Sequence, residues 1–428
     1  MAARRAALRL LRDVRQGRPF DAALGPALDR LGEADRRLAH EMAAGVLRRQ
    51  TALDSRLKPL VTRDLSRLSP DLLDVLRLGA FQLTVLDRVP AHAAVDTSVA
   101  LAKETAGEKA GGLVNAVLRK LSRSAPLPAE TSSRTAARLA ERHSHPLWLV
   151  ERWLDRYGAE DTERLLQWND RRPRLILQPA RTPLDELARQ WRSAGIPIEP
   201  APYGAGLIAD RARPQALPGF EQGAFIVQDP GQALLTPFAG LPPGAAVYDA
   251  SAAPGGKTIG LGRGAALVVA GDVSRVRVRR LVENLARAGS GREYAVVADA
   301  RYPPIASADA VLLDAPCLGT GSFARHPDAR WRVTPAALEK LAKMQERLLD
   351  GAAEAVGPTG LLVYSTCSLE PEENEQQVER FLERHPDFQR EPNATFPSSL
   401  LTDRGDLMTL PQRDAMDGAF AARLRRRA

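Results

Sequence analysis

The chain has little cysteine, little histidine and no long apolar run. Its 428 residues include two cysteines and six histidines, so neither a disulfide scaffold nor a cysteine-rich zinc site is expected. The histidines are scattered without metal-ligand spacing, and two thiols fit a reducing compartment. No segment approaches the roughly 18 apolar residues of a transmembrane helix. The sequence therefore predicts a monomeric cytoplasmic protein of about two or three domains, without a metal or a membrane partner.

Positive charge is concentrated in the first third of the chain. The formal net charge is +8, and residues 1–125 account for all of it, with 22 Lys+Arg against 14 Asp+Glu. This asymmetry indicates a polyanionic partner, although a solvated arginine-rich helical surface would give the same pattern. Phe20 and Phe81 are the segment's two aromatic residues, so contacts to phosphates or to nucleic-acid shape are favoured over base stacking.

The pattern of apolar and polar residues divides the chain into three regions. Residues 1–125 show apolar residues at helical spacing and predict an all-α bundle, whose arginine-rich start we interpret as a first helix rather than a transit peptide. Residues 129–236 predict a small α+β subdomain after a linker at 124–128. Residues 237–428 alternate strand and helix, which predicts a doubly wound α/β sheet. The predicted strands of that sheet are 246–250, 266–271, 294–298, 310–314 and 360–365, and the predicted helices elsewhere include 113–121, 134–143, 146–157 and 161–168.

A glycine-rich turn, Ala253-Pro-Gly-Gly256, follows the first of these strands. Backbone without a Cβ lets a ligand approach closely, and the free N–H groups of such a turn can hold polar atoms. Lys257 and Thr258 imitate the end of a P-loop, but Ser251 stands where that motif needs glycine. The turn is not a clean dinucleotide fingerprint either. We therefore expect a polar ligand that is neither a P-loop nucleotide nor a nicotinamide dinucleotide.

Acids and thiols stand at the ends of later predicted strands. Asp272 and Asp299 end the second and third strands, where carboxylates can bind ribose hydroxyls or an exocyclic amine. Cys317 and Cys367 follow the fourth and fifth strands, on the ligand side of the same sheet. A buried cysteine is usually an inert small hydrophobe. Two thiols at one sheet edge instead indicate attack on a soft electrophilic carbon.

Two known families resemble this sequence. The segments 76–83, 89–96 and 113–120 resemble the NusB family, a helical RNA-binding bundle. The second half resembles the RNA cytosine-C5 methyltransferases, and the combination resembles their RsmB (Sun/Fmu) ribosomal RNA branch. The departures are Ser251, where the family usually has cysteine, and Ala419, where it has a second aromatic residue. The motifs that carry the second resemblance are Ala252–Thr258, Asp314–Cys317, Arg325–Asp328 with Trp331, Thr366–Ser368 and Met416–Phe420.

The resemblance implies a Rossmann-like methyltransferase domain that uses S-adenosyl-L-methionine on a cytosine of small-subunit ribosomal RNA. It implies Asp272 for the donor's ribose, Asp299 for its adenine, Cys367 as nucleophile at C6, Cys317 as acid/base and Asp314 on the cytosine edge. The residues implied for the donor's methionine part, or as candidate donor contacts, are Ser251, Ala252, Ala253, Pro254, Gly255, Gly256, Lys257 and Asp314.

Alternatives stay open at this point. DNA cytosine methyltransferases use a Pro-Cys thiol as nucleophile, so Pro316-Cys317 fits that role too. His326 could orient the RNA or serve as a general base. A non-catalytic ribosomal RNA assembly factor, or an enzyme that methylates tRNA, would share most of these residues, although the intact cysteine pair argues against the first.

Overall fold

A computed structural model describes residues 1–62, 64–124, 134–209 and 213–428. The chain forms two compact units: Met1–Arg171 with Phe323–Val333, and Arg172–Ser322 with Thr334–Ala428. The three domains predicted from the sequence stay a prediction, because the units group the residues differently. The predicted linker, apart from Ser124, lies outside the described residues. Within the described ranges every helix is too short or too polar to cross a lipid bilayer.

The first unit is built from helices. The apolar faces of the helices up to Arg123 share one core, in which small residues let the helices approach closely. A Cβ on Gly79 would lie 2.3 Å from Leu118 Cδ1, so glycine is needed where two helices meet. The helices are α1 (Ala2–Arg15), α2 (Phe20–Leu28), α3 (Glu33–Arg48), α4 (Gln50–Leu57), α5 (Pro70–Thr84), α6 (Ala91–Ala106), α7 (Glu108–Arg123), α8 (Ala136–Arg142) and α9 (Leu147–Asp170).

One helix prediction in this unit was wrong in extent, and a predicted break between two helices is confirmed. The predicted helix 113–121 begins earlier, because α7 runs through Gly111, where a Cβ would lie 2.6 Å from Lys103 Cγ. Glycine there is a packing residue and not a helix breaker. The predicted helices 146–157 and 161–168 are confirmed as the two helical stretches of α9, which are separated at Gly158, where the φ of 75° is not helical.

A segment distant in sequence completes the first unit. Arg330 in Phe323–Val333 is fully buried, and its guanidinium donates to Asn169 O at 2.8 Å and to Asp170 Oδ1 at 3.3 Å. The Trp331 indole N–H donates to Leu47 O at 2.8 Å. A buried guanidinium is stable only with such partners. The sequence pattern instead predicted that this segment belongs to the α/β region, residues 237–428.

The second unit begins with a small α+β part. Its strands form an antiparallel sheet in the order β2-β3-β1-β4. Trp191 is fully buried and packs edge-on against Phe225, with 5.1 Å between ring centroids. The predicted α+β character of this region is confirmed. Its elements are β1 (Ile176–Pro179), α10 (Leu184–Ser193), β2 (Glu199–Pro200), β3 (Leu207–Ile208) and β4 (Phe225–Val227).

A larger mixed sheet fills the rest of the second unit. The neighbours β9-β8-β5-β6-β7 are parallel, and the chain moves outward from β5 in both directions. This is the predicted doubly wound order, which places a ligand crevice at the carboxyl ends of β5 and β8. The elements are α11 (Pro230–Ala233), α12 (Leu235–Ala239), β5 (Ala246–Asp249), α13 (Gly256–Gly262), β6 (Leu267–Asp272), α14 (Arg275–Ala288), β7 (Glu293–Val297), β8 (Ala308–Asp314), α15 (Pro335–Glu354), β9 (Val356–Thr366) and α16 (Glu375–Arg384).

Three further strands extend this sheet beyond the prediction. They are β10 (Phe388–Arg390), β11 (Leu407–Thr409) and, after α17 (Pro411–Asp414), β12 (Ala419–Arg426). The last strand pairs antiparallel with β9, and Phe420 lies opposite Thr366. Phe420 and Leu424 enter the core on alternate positions. The arginine-rich end of this segment hid its strand character in the sequence.

Candidate active site

Contacts with residues near in sequence and in space fix the shape of the glycine-rich turn. Beneath it, the Thr258 hydroxyl donates to the buried Asp249 Oδ2 at 2.7 Å, which joins the start of α13 to the end of β5. Asn284 Nδ2 donates to Pro254 O at 2.8 Å. Gly255 has a φ of 110°, and a Cβ there would lie 2.9 Å from Leu281 Cδ1. These contacts give the turn one shape and require glycine within it.

Carboxylates stand at the ends of the next two strands, as predicted. Asp272 is buried and accepts from Ser274 N at 2.9 Å, and Arg277 Nη2 lies 3.2 Å from its other oxygen. Asp299 accepts from Arg301 N at 3.0 Å and from the Arg301 guanidinium. The hydrogen bonds from Arg301 hold the pKa of Asp299 below its usual value. Both acids are therefore fixed acceptors.

A lysine joins the turn to the next strand end. Lys257 Nζ donates to Asp314 Oδ2 at 2.7 Å and to Gln232 Oε1 at 2.7 Å. The second oxygen of Asp314 accepts from the Ser365 hydroxyl at 2.9 Å. A carboxylate bonded on both oxygens has a fixed plane, because each donor restricts its rotation. Asp314 is therefore held by residues from α13 and β9.

The two cysteines are brought together, as their positions at strand ends predicted. Cys317 Sγ lies 3.4 Å from Cys367 Sγ, and both residues are half-buried thiols. The hydrogen bond with Cys367 and burial raise the pKa of the Cys317 thiol well above its usual value. Gly321 donates its N–H to Cys367 O at 3.0 Å. The two thiols are therefore close enough to share a hydrogen bond, in which either sulfur can be the donor.

The residues predicted to bind a methyl donor fit such a molecule. The open turn offers backbone with no Cβ at Gly255 and Gly256, and Asp272 and Asp299 present acceptors suited to hydroxyl and amine groups. Of the other predicted contacts, Ala252 is fixed by its N–H to Gly271 O at 2.8 Å. The predicted residues thus fall on the consecutive strand ends of one sheet.

One predicted candidate has a different environment. His326 lies in the first unit, where its Nδ1 is 2.9 Å from Asp21 Oδ2. Nearby, Asp328 Oδ2 accepts the Phe20 N–H at 3.1 Å. In the structure, the motif that begins at Arg325 thus contacts the helical unit.

Sequence reasoning missed three residues that hold the site: Gln232, Ser365 and Glu373. Gln232 lies in α11, whose start is capped by the Asp229 carboxylate at 2.9 Å from Gly231 N. An acid followed by proline marks the start of a helix, so the sequence could have indicated the short helix that carries Gln232. Ser365 and Glu373 gave no such local signal, because their partners are distant in sequence.

Comparisons with known proteins agree with this architecture. Residues 240–425 match the family described as 16S rRNA methyltransferase RsmB/F, residues 1–123 match the NusB family, and residues 145–214 match a ferredoxin-like domain of RsmF/B-like methyltransferases. These matches confirm the predicted NusB-like bundle, α+β region and methyltransferase domain.

Full-length relatives give the same result. The chain is 34% identical over 444 residues to a probable ribosomal RNA small subunit methyltransferase B from Synechocystis, with 100% of each chain covered. It is 33% identical over 421 residues to ribosomal RNA small subunit methyltransferase B from Salmonella arizonae, which covers 96% of this chain and 95% of the relative. The crystal structure of PH0851 aligns with a TM-score of 0.82 and 26% identity, over 99% of this chain and 98% of that one.

Proposed function

Because this chain belongs to the 16S rRNA methyltransferase RsmB/F family, we propose that it methylates C5 of a cytosine in small-subunit ribosomal RNA. The observation that carries the proposal is the pair of thiols 3.4 Å apart beside Asp314 at one sheet edge. Such a pair suits a reaction in which one sulfur bonds to carbon and the other handles a proton. The charge of residues 1–125 supports RNA as the partner of the helical unit.

S-adenosyl-L-methionine would supply an electrophilic methyl group at this site. The backbone of Ser251–Lys257 would bind its methionine part. Asp272 would accept from the ribose hydroxyls, and Asp299 would accept from the adenine amine. These acids need no rearrangement for this task, because Ser274 and Arg301 already fix them.

The chain's own residues would then activate the base. C5 of cytosine is a weak nucleophile until a thiolate adds at C6, and we assign that attack to Cys367. Asp314 would bind the N3/N4 edge and favour addition, since Lys257 and Ser365 hold its carboxylate in one plane. C5 would then be able to accept the methyl group that S-adenosyl-L-methionine supplies, with the electron pair of the donor's carbon–sulfur bond left on its sulfur.

Release of product would require the second thiol. Cys317 would lose its own proton to solvent and accept the C5 proton, while the C6–sulfur bond breaks with its electrons returning to Cys367. The raised pKa of Cys317 supports the assignment of the attack to Cys367, because a thiol that holds its proton is a poor nucleophile. The target cytosine must be unpaired or flipped out, since C6 is shielded in a stacked helix.

The test is methyl transfer from labelled S-adenosyl-L-methionine to unmodified small-subunit ribosomal RNA, with the product nucleoside identified. We expect 5-methylcytidine at one site, and transfer RNA should be a poor substrate. Binding of donor and RNA without transfer would favour an assembly factor. Failure to bind the donor would remove the role assigned to the turn. A monomeric state and a cytoplasmic location remain predictions, to be checked by sedimentation and by cell fractionation.

A further inference from the structure

Two buried side chains form hydrogen bonds to the backbone on either side of Cys317. The proposed chemistry gives neither side chain a role. Gln345 Nε2 donates to the carbonyl of Pro316, the residue before Cys317, at 2.9 Å. Glu373 accepts the N–H of Leu318, the residue after it, on both oxygens at 3.1 and 3.2 Å. Gln345 Nε2 also donates to Glu373 Oε1 at 2.9 Å. The backbone on each side of Cys317 is therefore fixed by one connected pair.

The segment that carries Glu373 also contacts the strand end that bears Cys367. Asn374, the residue after Glu373, donates from Nδ2 to the carbonyl of Ser368, the residue after Cys367, at 2.9 Å. The backbone carbonyl of Glu373 accepts from the Tyr364 hydroxyl at 2.6 Å, three residues before Cys367. Glu373 and Asn374, which precede α16, thus bind the residue that follows each cysteine.

Burial of this acid calls for an explanation. Glu373 is fully buried, and burial raises its pKa to about 7. A buried carboxylate is costly unless its hydrogen bonds are satisfied, and a neutral residue of similar size would hold a loop more cheaply. The charged and titratable neighbours are Glu370, Cys317, Tyr364 and Arg380. An acid retained in this setting suggests a task in addition to packing.

We propose that Glu373 is a positioning residue that fixes Cys317 against Cys367 by holding the Leu318 N–H and, through Gln345, the Pro316 carbonyl. This inference rests on the proposed function. Cys367 is held independently, because its carbonyl accepts the Gly321 N–H. Loss of Glu373 should therefore displace Cys317 more than Cys367. Addition at C6 would continue, while removal of the C5 proton and release of the RNA would slow.

The test is Glu373→Gln, which keeps the size of the side chain but replaces one acceptor oxygen by an amide donor that faces the Leu318 N–H. We expect methyl transfer in multiple turnover to fall about 10- to 100-fold, as for loss of one hydrogen bond to a charged group. A denaturant-stable complex between protein and RNA should accumulate although both cysteines are present. Donor affinity should stay within about twofold of wild type, which reports a folded site.

Glu383→Gln is the matched control, because this glutamate lies ten positions later, on α16, with an exposed side chain and should behave as wild type. Gln345→Leu is the second variant. It leaves the Glu373–Leu318 bonds and frees the Pro316 carbonyl, so the complex should again accumulate with a smaller loss of rate.

The outcomes separate this inference from the proposed function. If wild type makes 5-methylcytidine but Glu373→Gln loses activity without accumulating the complex, or behaves as wild type, the positioning role is wrong and the function stands. If Glu373→Gln no longer binds donor, the Gln345→Leu result decides between a folding role and a positioning role. If wild type itself transfers no methyl group, the function fails and this inference fails with it.

Discussion

Two halves of the site are held in different ways. The donor half is the turn Ser251–Lys257 with the ends of β6 and β7, and the thiol half is the ends of β8 and β9 with the residues that follow them. In the donor half, the acids bind residues two to five positions away, such as Asp299 with Arg301. In the thiol half, Cys317 and Cys367 are 50 positions apart. The acids of the donor half are held by residues of their own chain segments, whereas the thiol half exists only when two strands are paired.

The largest expected effect falls on the thiol half alone. Cys367→Ala should lower methyl transfer by about 10⁴-fold or more, because no other group can form the bond to C6. Donor affinity should not change, since the donor half is held by its own contacts. Cys317→Ala should instead accumulate a denaturant-stable RNA complex, measured on a denaturing gel. The reverse pattern, with the complex formed by Cys367→Ala only, would make Cys317 the nucleophile.

A smaller effect is expected where the halves meet. Lys257 belongs to the turn but binds Asp314 in the thiol half. Lys257→Met should lower kcat/KM by about 100-fold, because Asp314 loses the cation that fixes one of its oxygens. The readout is single-turnover methyl transfer, with donor affinity measured in parallel. Lys343→Met, which removes an exposed lysine paired with Glu339, is the control. Equal rates for both variants would show that the two halves act without this link.

The smallest expected effect concerns stability beneath the donor half. Burial raises the pKa of Asp249 from 3.8 to about 6, so the folded state binds this proton more tightly than the unfolded state. Stability is then present below the unfolded pKa and is lost as the pH rises through the folded one. Wild type should lose about 1 to 2 kcal/mol more than Asp249→Asn between about pH 5 and pH 7.5.

Urea unfolding at the two pH values measures this difference, and the amide oxygen of the Asp249→Asn variant can still accept from Thr258. The exposed Asp309, which accepts the Ala246 N–H, provides a control: Asp309→Asn should keep the wild-type pH dependence. An Asp249→Asn curve parallel to wild type would mean that the carboxylate is stabilised when charged.

The sequence predicted the ligand-binding residues of the donor half better than the residues and elements that hold them in place. The turn, Asp272 and Asp299 follow short β-rich runs, and a doubly wound pattern places all strand ends on one edge. Their main partners, Ser274 and Arg301, lie a few residues away. The glycine-rich turn hid α13, because Gly256 and Gly260 lower helix propensity while leaving room for Gln228 and Thr236.

In the thiol half, the sequence predicted the two reactive cysteines but not the residues that hold them in place. Cys317 and Cys367 stood out because the chain contains no other thiol, and their proximity followed from parallel strands. Glu373 did not stand out, because an acid in a Glu-rich segment looks solvent-exposed. Its burial depends on α15 and on the β8–β9 pairing, which no local pattern encodes. Similarly, β12 was missed because its pairing with β9 decides its conformation.

The discontinuous first unit has a consequence for synthesis on the ribosome. Its helices are complete by residue 171, yet the pocket for Arg330 and Trp331 is filled by residues 323–333. Domains usually fold in order as the chain emerges. Here the N-terminal unit must wait, with the Asn169 carbonyl and its neighbours open to water, until more than 150 further residues have been translated. The N-terminal bundle is therefore complete only after the segment that carries Cys317 has been translated.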